Sequence, residues 1–156
     1  MVNEAGKTSN IVGWKPYDLD YYAQELVLEF RNTEDVLNES HKMRMTIAYG
    51  LERFWGEQLR LERENQTKAQ YWSKVWAKLQ EILINAGMQD FPNDNVKSNN
   101  PDDKVKKEEE ITKIKEMAKK IWSMTLDDQR VALMVLTQFC DSLVWWTQRY
   151  KIKKEK

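Results

Sequence analysis

Seven apolar positions between Trp72 and Ala86 constrain this chain more than anything else in it. Trp72, Val75, Trp76, Leu79, Ile82, Leu83 and Ala86 recur at i, i+3, i+4 and i+7, the spacing that places side chains on one face of an α-helix. Thr67 and Gln70 read as a capping box at its start. Gly87 is placed to end it in a left-handed cap. A stripe with two tryptophans needs other helices to cover it. The chain has only five glycines and three prolines, too few for the many tight turns of a strand-rich fold. The expectation is an all-α, single-domain helical bundle.

Other stripes supply the partners. Leu19, Tyr22, Ala23, Leu26, Val27 and Phe30 predict a first helix over 19–30, with Asp18 as its N-cap. A second helix begins after Thr33 with Glu34 and Asp35 at its positive end. Its stripe runs through Val36, Leu37, Ile47, Leu51, Phe54 and Leu61, and it fades in the charged stretch 60–65. Gly50 interrupts that helix, which reads as close packing against another element. A fourth starts near Asp102 and carries Ile111, Ile114, Ala118, Ile121 and Trp122. A fifth opens with the capping box Thr125 to Asp128 and runs to Tyr150. Residues 131–136 are apolar all round, which reads as the most buried helix. The domain therefore spans 17–150, with about five helices, an N-terminal arm over 1–16 and a basic tail over 151–156. Residues 88–103, rich in Asn, Asp, Ser and Pro, read as a mobile polar loop.

Catalysis finds little material. His41 is the only histidine, and it sits between Ser40 and Lys42 as a partly exposed helix residue. It excludes multi-histidine metal sites and the paired Glu-x-x-His of di-iron bundles. Cys140, the single cysteine, reads as a buried structural thiol. Glu108, Glu109 and Glu110 read as a solvated helix face. No phosphate-binding glycine loop is present. The expectation is a protein that is not an enzyme, uses no cofactor or metal, and works by binding. Residues 1–10 are polar, unlike a secretory signal, and no apolar run approaches membrane-spanning length, so the expected location is cytoplasmic.

Binding features remain. Lys+Arg and Asp+Glu are each 25, so any electrostatic footprint must come from clustering. Candidate RNA contacts are Lys42, Arg44 and Arg53 on the second helix, Lys74 and Lys78 on the third, and Arg149, Lys151 and Lys153 at the end. The alternative is that these are ordinary solubilising charges. Of seven tryptophans, Trp72, Trp76, Trp122 and Trp146 fall on core stripes. Trp55 and Trp145 fall beside theirs, either buried between helices or acting as interface anchors. Trp14, in the arm, is a third candidate for subunit contact.

Three segments together resemble one family. Met45 to Leu51, leading into Phe54, is similar to the isoleucine-and-Gly-Leu helix of the small helical subunit of the Cmr complex, the type III-B CRISPR RNA-guided effector. Leu143 to Tyr150 resembles its C-terminal Leu-x-x-Trp-x-x-Arg-Phe segment, with Trp146, Arg149 and Tyr150 on the matching positions. Tyr21-Tyr22-Ala23 resembles its aromatic, alanine-rich opening helix. The chain departs from the pattern at Gln148, where the family has a basic residue, and at Tyr150 in place of Phe. The resemblance implies a non-catalytic small subunit in antiviral defence. Its partners would be other Cmr subunits, further copies of itself in a filament, and the guide RNA–target RNA duplex. A rival expectation from another class is a helical protein-binding adaptor or inhibitor without RNA contact.

Overall fold

The computed structural model describes residues 16–152, and Trp14, Lys153 and nearly all of the arm and tail lie outside them. Within that range six α-helices are arranged in one bundle: α1 (Pro16–Phe30), α2 (Glu39–Thr46), α3 (Leu51–Glu64), α4 (Gln66–Asn85), α5 (Asp103–Trp122) and α6 (Leu126–Tyr150). Helix α6 is central. It packs against α1, α2, α3 and α4, while α4 also covers α3 and α1. The predicted stripes of 19–30 and 72–83 are buried as expected. Trp72, Trp76, Leu79 and Val27 have almost no exposure.

Several helix ends follow from local chemistry. The Asp102 side chain caps α5 by accepting from the Lys104 and Val105 amides, and the Thr125 hydroxyl caps α6 by accepting from Asp128 N–H at 3.1 Å. Gly87, with φ of 107°, ends α4. Its N–H reaches Ile84 O and the Met88 N–H reaches Leu83 O, both at 3.0 Å, the Schellman pattern. Two predicted caps move. Asn65, not Thr67, caps α4, accepting from Lys68 N–H at 3.1 Å. Helix α1 already begins at Pro16, so Asp18 lies in its first turn.

The second predicted helix is two helices. Short 3₁₀ turns flank α2, and Gly50 stands between them and α3 with φ 99° and ψ 169°. This backbone region is essentially reserved for glycine. A Cβ at Gly50 would meet nothing within 4 Å, so the glycine answers a backbone demand and not the close packing expected of it. Other expectations also change. Val131 and Met134 of α6 are exposed, because the buried side of that helix is carried by Ala132, Val135, Leu136, Phe139 and Leu143. On α5, Met117 takes the core position while Ile111 and Trp122 face outward. The helix contributes only its C-terminal turns to the core.

Residues 88–102 form no regular structure but are docked along their length. Phe91 is buried against Trp76, with ring centroids 4.7 Å apart. The Trp76 indole donates to Pro92 O at 3.0 Å. Ser98 is buried; its N–H donates to Glu110 and its hydroxyl donates to Glu109, both on α5. Of the three glutamates read as a solvated face, Glu108 and Glu109 are exposed as expected, and Glu109 and Glu110 also hold the connector.

The least expected part of the core is polar. Glu39 and Ser40, at the start of α2, are fully buried. Ser40 Oγ lies 2.7 Å from both Tyr71 Oη and Thr147 Oγ1. Glu39 Oε1 accepts from the Trp72 indole at 2.9 Å, and its Oε2, which makes no hydrogen bond, faces the Lys42 ammonium at 3.2 Å and Lys68 at 3.7 Å.

Two outcomes are expected. Ser40→Ala leaves the buried Tyr71 and Thr147 hydroxyls short of a partner and should lower unfolding free energy by about 1–3 kcal/mol in urea titration. Gly50→Ala should cost about 1–3 kcal/mol in the same titration through backbone strain alone. A neutral result at either position would contradict the corresponding assignment.

Candidate interaction surface

The seven basic candidates among the described residues do not gather on one face. Lys74 and Lys78 line the seam between α1 and α4. Lys74 pairs with Glu29 and lies over the Phe30 ring at 5.7 Å. Lys78 pairs with Glu81 at 3.1 Å and lies over the Tyr22 ring at 4.5 Å. Lys42 faces the buried Glu39, and Arg44 Nε donates to Asp141 of α6 at 2.6 Å. These four cations are largely compensated inside the domain. Such exposed pairs contribute little stability, yet they cancel charge that would otherwise attract an anion.

Arg53 and Arg149 differ. The Arg53 guanidinium lies 5.8 Å from the centroid of the exposed Tyr49 ring. Arg149 stacks on Trp145 at 3.6 Å, and it donates hydrogen bonds to the Trp145 carbonyl and the Gln148 side chain. Neither has a carboxylate partner among the described residues. Cation–π stacking holds a guanidinium in place without neutralising it.

The segment Leu143 to Tyr150 builds that surface by helical phase. Leu143 and Thr147 point into the core. Trp146 stacks on Tyr150 at 5.3 Å, its indole donates to Asp20 at 3.3 Å, and the Tyr150 hydroxyl accepts from Gln24 at 2.9 Å, so this pair closes the α1–α6 seam. Trp146 is thus half-buried at a seam, where a core position was expected. Asp141, Trp145 and Arg149 form the remaining outward row at i, i+4 and i+8. Trp145 is 47% exposed. Beyond them, Lys151 and Arg31 border a cleft of about 660 Å³ between the ends of α1 and α6. Arg31 Nε donates there to Tyr150 O at 2.7 Å.

Trp55 is corrected. It is 3% exposed, one of the inward positions of α3. Restarting the helix at Leu51 turns positions i+3 and i+4, Phe54 and Trp55, inward together. Trp55 is therefore a core side chain and not an exposed anchor. Trp122, which the sequence pattern placed in the core, does reach the surface, at 66% exposure and close in sequence to the exposed Leu126. Its position in the last turn of α5 is the signal, since a stripe loses its cover where its helix runs past the core.

His41 is exposed, and Cys140 is fully buried. Burial pushes the Cys140 thiol and the Tyr71 phenol well above their ordinary values. Among the described residues no cluster of three or more His, Cys, Asp or Glu side chains could hold a metal ion. No described helix is long and apolar enough to cross a membrane.

The fold defines an all-helical single domain whose surface carries cation–aromatic pairs. Compared with known protein families, curated proteins and solved structures, the chain matches none of them.

The raised thiol and phenol make a pH prediction. Both groups are neutral when protonated, and the folded state holds those protons more tightly than the unfolded state. Their contribution is complete below the unfolded thiol value of about 8.5 and is lost as pH rises past it. Stability in urea should fall from pH 8 to pH 10, and Cys140→Ala should flatten the first part of that fall. An unchanged slope in the variant would show that the thiol does not contribute.

Proposed function

We propose that this chain is a non-catalytic architectural subunit of an RNA-guided ribonucleoprotein of the type III-B CRISPR kind. In this reading it stacks with other Cmr subunits and with copies of itself, and helps hold the guide RNA–target RNA duplex in antiviral defence. The observation that carries the reading is the Arg149–Trp145 pair. It lies in the segment that resembles the family, it is exposed, and its guanidinium has no acidic partner among the described residues. An uncompensated cation stacked on an exposed indole offers charge to a phosphate and an aromatic face to a base. Lys151 extends the same end of α6.

The adaptor reading also has an observation in its favour. Lys42, Arg44, Lys74 and Lys78 are paired with Glu39, Asp141, Glu29 and Glu81. That compensation leaves much of the surface near neutral and suits a protein partner.

A tagged pull-down from the native cytosol, with and without ribonuclease, separates the two. The ribonucleoprotein reading expects short guide RNAs and several larger subunits, and Trp145→Ala with Arg149→Glu should lower RNA affinity at least about tenfold while leaving Tm unchanged. Recovery of one protein and no RNA would overturn it in favour of the adaptor.

A further inference from the structure

A cavity of about 240 Å³ opens where α4 ends and α6 begins. Its lining is apolar apart from one carboxylate. Ile82, Leu83 and Ala86 come from α4, Met88 follows its end, and Val131 and Val135 come from α6, with Asp128 beside them. It shares no residue with the Arg149 surface. Leu83 and Val135 are buried, while Val131 is 39% exposed, so the apolar row reaches solvent at this point.

The placement of α1 explains why the row is uncovered there. Asp20 meets Trp146 and Gln24 meets Tyr150, so α1 runs parallel to α6. Glu29 meets Lys74 and Tyr22 meets Lys78, so it runs antiparallel to α4. Helix α1 therefore lies along the seam between those two helices. On α6 the positions that face it, Trp146 and Tyr150, belong to a row that continues at helical spacing through Ser142 to Val135, Val131 and Asp128. The first residue of α1, Pro16, is one turn before Asp20, which sets it about level with Ser142. Helix α6 starts well before that level, at Leu126. The cavity is thus the same seam, beyond the point where α1 begins.

The segment that continues α1 backwards along this seam is Ile11-Val12-Gly13-Trp14-Lys15. From Ser142 to Val131 the axis of α6 advances roughly 16 Å at about 1.5 Å per residue. Five residues of extended chain span roughly the same length. Lys15 precedes a proline, which favours extended backbone over helix. In an extended chain Val12 and Trp14 share one side, and Gly13 between them adds no bulk. Asp128 at the rim disfavours a phosphate, so the lining suits an apolar stretch of polypeptide and not a nucleic acid.

We infer that residues 11–14 of this chain lie extended in the seam between α4 and α6, with Val12 entering the cavity over Val131 and Val135 and Trp14 closing its mouth on the α1 side. Trp14 is then an anchor within its own domain. The inference does not depend on RNA binding.

The test is paramagnetic relaxation enhancement on the full-length chain, with a nitroxide attached at Asn10→Cys. The native thiol, Cys140, is fully buried and does not compete for the label. The expected result is selective broadening of the Leu83, Val131 and Val135 methyl signals, the same at all protein concentrations. Val12→Ser with Trp14→Ser should lower the docked population on the order of tenfold or more, and the broadening with it, because two buried apolar side chains are lost. An unchanged far-ultraviolet circular dichroism spectrum would show that the helices survive. A tethered but undocked arm would broaden these signals equally in the variant, and that result would overturn the inference. So would absence of broadening at the three residues. In a mixture of nitroxide-carrying chains without isotope and isotope-labelled chains without nitroxide, no broadening is expected. Broadening there would put the arm of a second copy in the cavity and overturn the assignment to the same chain.

Discussion

Glu39 and Ser40 enter the core side by side at the first turn of α2, and the positions of three helices follow from satisfying them. Ser40 joins Tyr71 of α4 to Thr147 of α6 through hydroxyl contacts of 2.7 Å. Glu39 takes the Trp72 indole. Polar groups buried without partners cost more than an ordinary hydrogen bond returns, so these contacts admit one register of α2 against α4 and α6. Apolar packing alone would tolerate sliding. The carboxylate is further compensated by Lys42 and Lys68, because an isolated buried charge would not be stable there. Helix α2 is short and mostly polar, and it would be marginal by itself. Its place in the fold depends on this cluster and on Met43 and Ile47 beneath it.

The other half of the molecule is organised by a segment with no regular structure. Phe91, Pro92, Val96 and Ser98 are buried, and Trp76, Gln80, Met117 and Lys113 all bond to the connector. Helix α5 reaches the bundle through these contacts and a few apolar side chains near its C-terminal end. A long polar loop would carry unsatisfied backbone groups if buried alone. Here indole, amide and ammonium donors satisfy its carbonyls, which allows it to lie against the core.

Charge is distributed to similar effect. Several of the cations are paired with carboxylates on neighbouring turns or neighbouring helices, which cancels part of the charge locally. Several other surface features remain for recognition. There are arginines stacked on Tyr49 and Trp145, and exposed apolar residues at Trp122 and Leu126. Each suits a different kind of contact.

The helical class, the stripes of α1 and α4, the Asp102 and Thr125 caps and the Gly87 terminus were legible in the sequence. Each depends on interactions within a few residues, where spacing and side-chain chemistry suffice. The break at Gly50 was visible as a glycine, but its backbone angles were not, and the inward turn of Trp55 followed from that restart. Trp122 and Val131 carried core-like patterns and still reached solvent, since periodicity marks a face without saying whether another helix covers it. Glu39 and Ser40 are polar types with nothing in their spacing to mark them as core residues. Only the assembled bundle, by bringing Tyr71, Trp72 and Thr147 to them, made their burial favourable. Likewise, a list of lysines and arginines could not say which would be neutralised. The tertiary structure decided it by placing Asp141 beside Arg44 and Glu29 beside Lys74, while leaving Arg149 on an indole.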